Sequence, residues 1–394
     1  MNDSSFDYLG GNYYISAASL LLEFRTFIDS HPSLFKVNTN NSCWPKMVRY
    51  CEELEKFPDI MRSITRIHIS SQIDFERALF CSWCSLLVAR SLNLSEVHQQ
   101  TLFFAGLLQD TGKHSEIDTV SDFSSKVNGP FVSHLRDTDA KDLHPLIGAT
   151  FLEKQLPELE GLCDLVLNHH AKADGTGYPN HVSESQLGLD NQVLIVANEI
   201  SDRLDELGGH NQLAHIMPNL RLNNLLYFDK VHLSWINLFE PHLTHVTSNS
   251  NLEFLKEELI VKVKGLENMF SCLLVVSAEL LPYDFDLQVH GLRMMIRRLA
   301  CLSSDTGIFD PKLFNQKSTT GLANEKDEEC LSYVRDIDII LRGLPEILKR
   351  LISFVDDILQ SRKYDVNMQL IQNAREQLYK NSKLLDGNRC NIFR

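Results

Sequence analysis

Four side chains suited to holding a metal ion or moving a proton interrupt otherwise apolar helical runs in the first half of the chain. Asp110 follows the run LFFAGLL, His144 opens HPLIGATFLEKQL just before Pro145, and His169 and His170 close CDLVLN. Carboxylates and imidazoles that face inward from separate helices are how helical bundles build metal sites. This donor set suits iron, manganese, zinc or nickel. Neighbouring residues on a helix point about 100° apart. His169 and His170 are therefore not expected to ligate one ion together. One serves a metal, and the other a neighbouring metal or a phosphate oxygen. Directly after them, NHHAKADGTGYP turns the chain. Gly175 and Gly177 permit backbone angles closed to other residues, and Pro179 fixes the exit. Asp174 can bond the turn amides, and Tyr178 is aimed at a ligand or a partner.

Each of these residues alone has a plainer reading. A histidine before proline can bond nearby backbone, and an aspartate after a helix can cap a turn. Lys113 and Lys172 read either as solvated lysines or as phosphate contacts, with Lys113 the better placed. The pair Cys81 and Cys84 in CSWC has no second pair nearby and lies in an apolar stretch, so core packing is expected. Arg293, Arg297 and Arg298 read as a solvated helix face. His98, His114, His134 and His181 read as surface residues.

The elements that position these groups are nearly all helical by periodicity, which predicts an all-α protein without convincing strands. ISAASLLLEFRTFI and WPKMVRYCEELEKF form an N-terminal helical extension over residues 1–65. DFERALFCSWCSLLVARSLNL, SEVHQQTLFFAGLL, LHPLIGATFLEKQL, LEGLCDLVLNHH and NQVLIVANEISDRLDEL are helices of a central domain over 66–209, which ends at Gly208-Gly209. A helical region spans 210–314, and a polar linker is expected at 315–329. A C-terminal helical region spans 330–394. In it Leu341, Leu344, Leu348, Leu351, Val355 and Ile358 repeat at 3-4 spacing, the seam of a coiled coil or, more in keeping with two heptads, one bundle helix. Gly343 and Pro345 are expected to break its start.

The 394 residues suffice for about two or three domains. Composition is that of a globular protein, 43% hydrophobic and 23% charged, with 38 basic against 52 acidic residues and a formal charge of −14. This acidity argues against long nucleic acid, which rewards a basic face. No basic-then-apolar leader opens the chain and no apolar run is long enough to span a bilayer. Nine scattered cysteines fit reduced thiols. A cytoplasmic protein without a membrane partner is expected.

In order and approximate spacing, LLQDTGK, HPLIGATFLEKQL, NHHAKADGTGYP and VLIVANEISDRL resemble the HD-GYP family of metal-dependent phosphohydrolases over residues 75–205. The resemblance implies an all-α HD core holding two or three metals, iron or manganese among them, and hydrolysis of the bacterial second messenger cyclic di-GMP. Departures are concentrated in the metal ligands. The family's His-Asp pair reads Gln109-Asp110. Arg77 stands where the first metal-binding histidine is expected, Asn198 where the last aspartate is, and Ala171 where a glutamate follows the two histidines. LGGHNQ replaces a stretch after the last helix. Asp110, Lys113, His144, His169, His170 and the turn from Asp174 to Pro179 are retained. The related non-catalytic HDOD signalling proteins share such losses, but the intact GYP turn favours HD-GYP descent.

The resemblance thus implies one surviving metal position, held by Asp110, His144 and His169 with His170 beside them. Arg77, whose charge is permanent, is expected to partly neutralise Asp110 where a cation once sat. Asp202 is a candidate displaced carboxylate, whereas Glu199 points off the site by helical phase. A single ion activates water and clamps a leaving oxygen less well than a pair does. The expectation is a signal-transduction protein of weak or absent activity. It senses cyclic di-GMP or a related nucleotide, or engages a signalling protein through the GYP turn. The alternatives are an active phosphohydrolase using one divalent transition metal, with Lys113 on the phosphate, and a purely structural protein that pairs with a second copy through its C-terminal helices.

Overall fold

The computed structural model describes residues 6–9, 12–114, 143–173, 175, 177–180, 182–226, 228–243, 252–306, 308, 328–361 and 363–386. Among them are fifteen α-helices and one two-stranded ribbon, so the fold is all-α. The chain forms two compact units, residues 1–216 with 230–244, and residues 217–229 with 245–394. None of the described helices is long and apolar enough to cross a membrane.

The first unit opens with an antiparallel ribbon, β1 (Phe6–Leu9) against β2 (Asn12–Ile15), with Phe6 opposite Ile15. Periodicity did not predict it, because four residues are too few to establish an alternation. The sequence signal for it was the Gly10-Gly11 pair between two aromatic-rich runs. Helix α1 (Ala17–Ser30) starts at Ser16, whose hydroxyl accepts from Ser19 N, and buries Leu20, Phe24, Phe27 and Ile28. Helices α2 (Pro32–Asn41), α3 (Trp44–Glu55) and α4 (Pro58–Ser70) each carry proline in the first turn, where its missing N–H leaves no bond unmade.

Helix α5 (Gln72–Ser91) is the centre of this unit. Every residue from Ala78 to Ala89 is buried, the mark of a helix with no solvent face. Cys81 and Cys84 are part of that core, and burial pushes both thiols well above their ordinary range. Helix α6 (Glu96–Leu108) packs on α5 at close range. A Cβ on Gly106 would lie 2.5 Å from Ser82 N and 2.7 Å from Cys81 C. Ser82 Oγ donates to Phe103 O at 2.7 Å across the same contact. Helices α7 (His144–Gln155) and α8 (Leu162–Asn168) pack on each other, and α9 (Leu189–Glu206) packs on α5, α6 and α8.

Beyond α9, Gly208 and Gly209 take positive φ, 91° and 118°, and turn the chain so that His210 enters the core. Its ring lies 4.9 Å from Phe27, 4.8 Å from Phe80 and 5.3 Å from His31. Helices α10 (Leu213–Leu226) and α11 (Asp229–Phe239) follow. On α11, Trp235 stacks on Phe239 at 4.5 Å.

The second unit contains α12 (Leu252–Glu279), α13 (Leu287–Thr306), α14 (Glu328–Ser361) and α15 (Met368–Asp386). Helices α12 and α14 pack on α15, and α13 packs on α14. Gly343 and Pro345 do not break α14, which runs through Pro345. Proline removes one helical bond, at roughly 3 kcal/mol. Burial of Leu341, Leu344, Leu348, Leu351, Val355 and Ile358 along one face outweighs that cost. Of the expected linker, residues 315–327 lie outside the described residues, and Glu328 and Glu329 already belong to α14. Arg293 is not on a solvated face. It is buried, donates from Nε to Ser277 O at 3.0 Å and pairs with Asp284 at 2.6 Å.

Two outcomes follow from the first unit. Gly106→Ala forces α5 and α6 apart and lowers unfolding stability by about 2–3 kcal/mol, read from urea denaturation. The second concerns His210. Burial first, then His31 and Arg77, lowers its pKa from 6.5 to about 4. The unfolded chain binds this proton more readily, so the associated stability is present above about pH 6.5 and is lost as pH falls toward about 4. Its size is on the order of 3 kcal/mol. Urea midpoints at pH 7 and pH 4.5 are expected to differ less in His210→Leu than in the wild type.

Candidate metal centre

Three chain segments deliver the site residues. At the end of α6 the helix stops at Leu108, and Gln109 and Asp110 continue into a tight turn. Thr111 Oγ1 donates to Leu108 O at 2.8 Å, and Lys113 N donates to Asp110 O at 3.0 Å. Gly112 then meets the start of α7 so closely that a Cβ would sit 2.0 Å from His144 O. Only a glycine lets the turn carrying Asp110 reach the helix carrying His144. From the third segment, α8 ends at Asn168 and presents His169 and His170 beyond its last turn.

His169 and His170 lie at the end of α8, with His169 still in the right-handed helical conformation, and their rings lie 4.1 Å apart. Donor atoms of Asp110, His144, His169 and His170 all fall within 4.8 Å of one another. Asp110, His144 and His169 are buried, and His170 is half-buried. His144 Nε2 lies 3.2 Å from His169 Nε2 and 3.3 Å from Asp110 Oδ1, and His169 Nε2 lies 3.6 Å from the same oxygen.

The protonation of His169 is set by its backbone. Its Nδ1 is 2.6 Å from Val166 O, a group that only accepts, so Nδ1 carries the proton and Nε2 offers a lone pair. That lone pair faces a carboxylate oxygen, and neither oxygen of Asp110 receives an aligned hydrogen bond. Converging lone pairs of this kind require something positive between them, a proton on His144 Nε2 or a divalent cation. These donors fit a metal ion. Burial lowers the pKa of His169 and, more strongly, of His170, which keeps both imidazoles neutral as ligation requires. Burial by itself would raise the Asp110 pKa. The His144 and His169 imidazoles and the Lys113 ammonium, 2.9 Å from Oδ1, outweigh it and hold the carboxyl well below its ordinary range.

Arg77 acts on Asp110 only through space, without a direct salt bridge to it among the described contacts. Its guanidinium pairs with Asp202 and, at 2.8 Å, with Asp205, both on α9, so Asp202 is not a free carboxylate either. Burial opposes its charge, but Asp202, Asp110 and Asp205 hold it protonated. The cation in contact with Asp110 is Lys113, which also lies 3.9 Å from Asp74. Asp74 in turn contacts His114 at 3.1 Å, so His114 is a largely buried partner in this network and not a plain surface residue. His98 is exposed and pairs with Asp190. His134 and His181 lie outside the described residues. Sequence reasoning missed Asp74. The only clue was its place one turn before Arg77 on the same helix.

Gln109 and Asn198, both fully buried, meet each other: Gln109 Nε2 donates to Asn198 Oδ1 at 3.1 Å. Asn198 Nδ2 lies 3.3 Å from His170 Nδ1 and 3.5 Å from His169 O. In the turn that follows, Gly175 has φ 79°, as expected of glycine, whereas Gly177 is required by close approach. A Cβ on Gly177 would sit 2.3 Å from His170 O. Tyr178 N donates to that same carbonyl at 3.3 Å, and the Tyr178 ring stacks on His170 at 4.6 Å and meets His144 edge-on at 6.3 Å. The bond to Pro179 is cis. Asp174 lies outside the described residues. Lys172 is half-buried beside the turn and accepts through its carbonyl from Gly175 N at 2.9 Å.

An all-α core with a carboxylate and imidazoles gathered from successive helices defines a class of metal-capable helical domains. Residues 65–214 match the family model described as HD domain. A cyclic di-GMP phosphodiesterase of Pseudomonas aeruginosa is 28% identical over 136 residues, 34% of this chain and 31% of that protein. A cyclic di-GMP phosphodiesterase of Thermotoga maritima is 26% identical over 117 residues, 29% of this chain and 30% of that protein. The chain thus matches about a third of the length of these curated relatives. No solved structure matches it. Over residues 65–214 the chain is therefore similar to HD domains.

The GYP turn supplies a direct test of the geometry. Gly177→Ala drives the turn away from His170 O and unstacks Tyr178 from His170. A stability loss of about 2 kcal/mol is expected in thermal or urea melts.

Proposed function

We propose that this chain is a signalling HD domain with a reduced metal site, which binds one divalent transition metal and recognises cyclic di-GMP or a related nucleotide with little or no hydrolysis. The observation that carries this reading is the division among the positions where the family resemblance places ligands. Asp110, His144, His169 and His170 converge. Arg77, Gln109 and Asn198 are instead engaged with other side chains, Arg77 with Asp202 and Asp205, and Gln109 with Asn198.

Asp110, His144 and His169 would hold the ion, from iron, manganese, zinc and nickel as candidates. A bound ion supplies Lewis acidity toward a phosphoryl oxygen and a lowered pKa for bound water. Lys113 stands 2.9 Å from Asp110 with its side chain 28% exposed, placed to meet a phosphate entering from solvent. Tyr178, stacked on His170, offers a ring edge to a base. The similarity to two cyclic di-GMP phosphodiesterases supports the nucleotide class.

The test is metal content and turnover on the same preparation. About one metal per chain is expected after loading with manganese or iron, and His169→Ala should weaken binding by at least about a hundredfold. Cyclic di-GMP should raise the melting temperature of the loaded protein and be cleaved no faster than about 0.01 per second, some three orders below a typical enzyme. Turnover near 10 per second would establish an active phosphodiesterase instead. Absence of any metal or nucleotide effect would leave a structural protein.

A further inference from the structure

His170 stands among the metal donors, yet its hydrogen bonding points to a different use. The aspartate that the family resemblance places at position 198 can only accept a hydrogen bond. By the same resemblance that aspartate is itself a metal ligand, a role for which a neutral amide is a poor substitute. This chain has an amide at that position, and the amide has a polarity. His169 O, 3.5 Å from Asn198 Nδ2, only accepts, so the NH2 group faces the two histidines and the carbonyl oxygen faces Gln109. Gln109 Nε2 donates to that oxygen at 3.1 Å and completes the order. Asn198 Nδ2 therefore donates to His170 Nδ1 at 3.3 Å, and the neutral ring carries its proton on Nε2. That Nε2 is buried and has no partner. An N–H group in that position is a donor awaiting an acceptor, and such a group cannot ligate a cation through the same nitrogen.

We propose that the Gln109–Asn198 pair makes His170 a hydrogen-bond donor to an oxygen of the bound phosphate ester, while Asp110, His144 and His169 alone hold the metal. The altered residues are then positioning residues that reassign a histidine from ligand of the ion to contact of the anion. Stacking on Tyr178 holds the ring in place for this role. The proposal rests on the reading of this cluster as a metal and phosphate site, but its first test does not.

That test is nitrogen NMR of the full chain labelled at histidine, first without metal. Long-range proton–nitrogen correlation reads which ring nitrogen bears the proton. The expected result is Nε2–H for His170 and Nδ1–H for His169. In Asn198→Leu, His170 is expected to populate both tautomers while His169 is unchanged. If that variant does not fold, Gln109→Met, which frees the amide to turn over, is expected to give the same mixture. A proton on Nδ1 of His170 in the wild type, or a pattern untouched by either variant, overturns the proposal. Zinc is then added. The Nε2 signals of His144 and His169 should move to metal-bound positions and that of His170 should not. With inorganic phosphate as the probe, His170→Phe should weaken binding to the zinc-loaded protein about tenfold or more. The same variant should leave zinc affinity within about twofold. A fall in zinc affinity as large as that in His169→Ala would make His170 a ligand and overturn the assignment. Zinc that moves none of the three rings would defeat the metal reading, and the tautomer result would then decide the role of Asn198 by itself.

Discussion

Asp110 holds a full negative charge at 1% exposure, and the arrangement of the first unit follows from keeping it there. A buried carboxylate without compensation costs several kcal/mol, so every group around it must be placed to answer it. Lys113 does so from the same turn, and His144 Nε2 approaches the same oxygen at 3.3 Å from a second segment. Those segments can approach only because Gly112 has no side chain to separate the turn from His144. Removing the charge would relieve the penalty and leave the two imidazoles, with one lone pair already fixed by Val166 O, without a reason to face each other.

The precision of this meeting depends on helices that cannot move. Helix α5 is enclosed on all sides, α6 lies against it at glycine contact, and α9 closes over both. Site residues sit at the ends of these elements, where the backbone turns and imidazoles project beyond the helix barrel. That explains why adjacent His169 and His170 reach the same place, which residues inside a helix would not do.

Much of this was legible in the sequence, because polar residues that interrupt apolar helical runs stand out. The all-α class, the helices around Asp110, His144 and His169, and the importance of the glycine turn came from pattern alone. What pattern could not supply was long-range pairing. Arg77 meets Asp205 from 128 positions away, so its charge was assigned to Asp110 alone, and Lys113, three residues from Asp110, was read as a solvated lysine or a phosphate contact and not as that carboxylate's partner. Helix ends are the least certain part of any periodic reading, so the 4.1 Å approach of the His169 and His170 rings at the end of α8 was not visible there. The same holds for Gly177, where a neighbouring carbonyl and not a dihedral angle demands glycine. Pro345 was misread for a related reason, since side-chain burial decided the fate of α14 over its local propensity.

On the proposed reading, charge balance ties the metal and the nucleotide together. Two basic side chains, Arg77 and Lys113, are linked in or beside the site to four carboxylates, Asp74, Asp110, Asp202 and Asp205. Counting these six side chains alone, the network falls two positive charges short of neutrality. A divalent cation supplies that amount. A phosphate, by contrast, meets net negative charge when it approaches alone, and near a partly buried site this repulsion is only weakly screened by salt. On the proposed reading the two ligands are therefore coupled, with the ion bound first and the anion held by the ion, Lys113 and His170 together. Such coupling needs no catalysis, and by linkage a nucleotide that binds only the loaded site also tightens the ion. On the proposed reading such a site would respond to the joint presence of a metal and a phosphate ester.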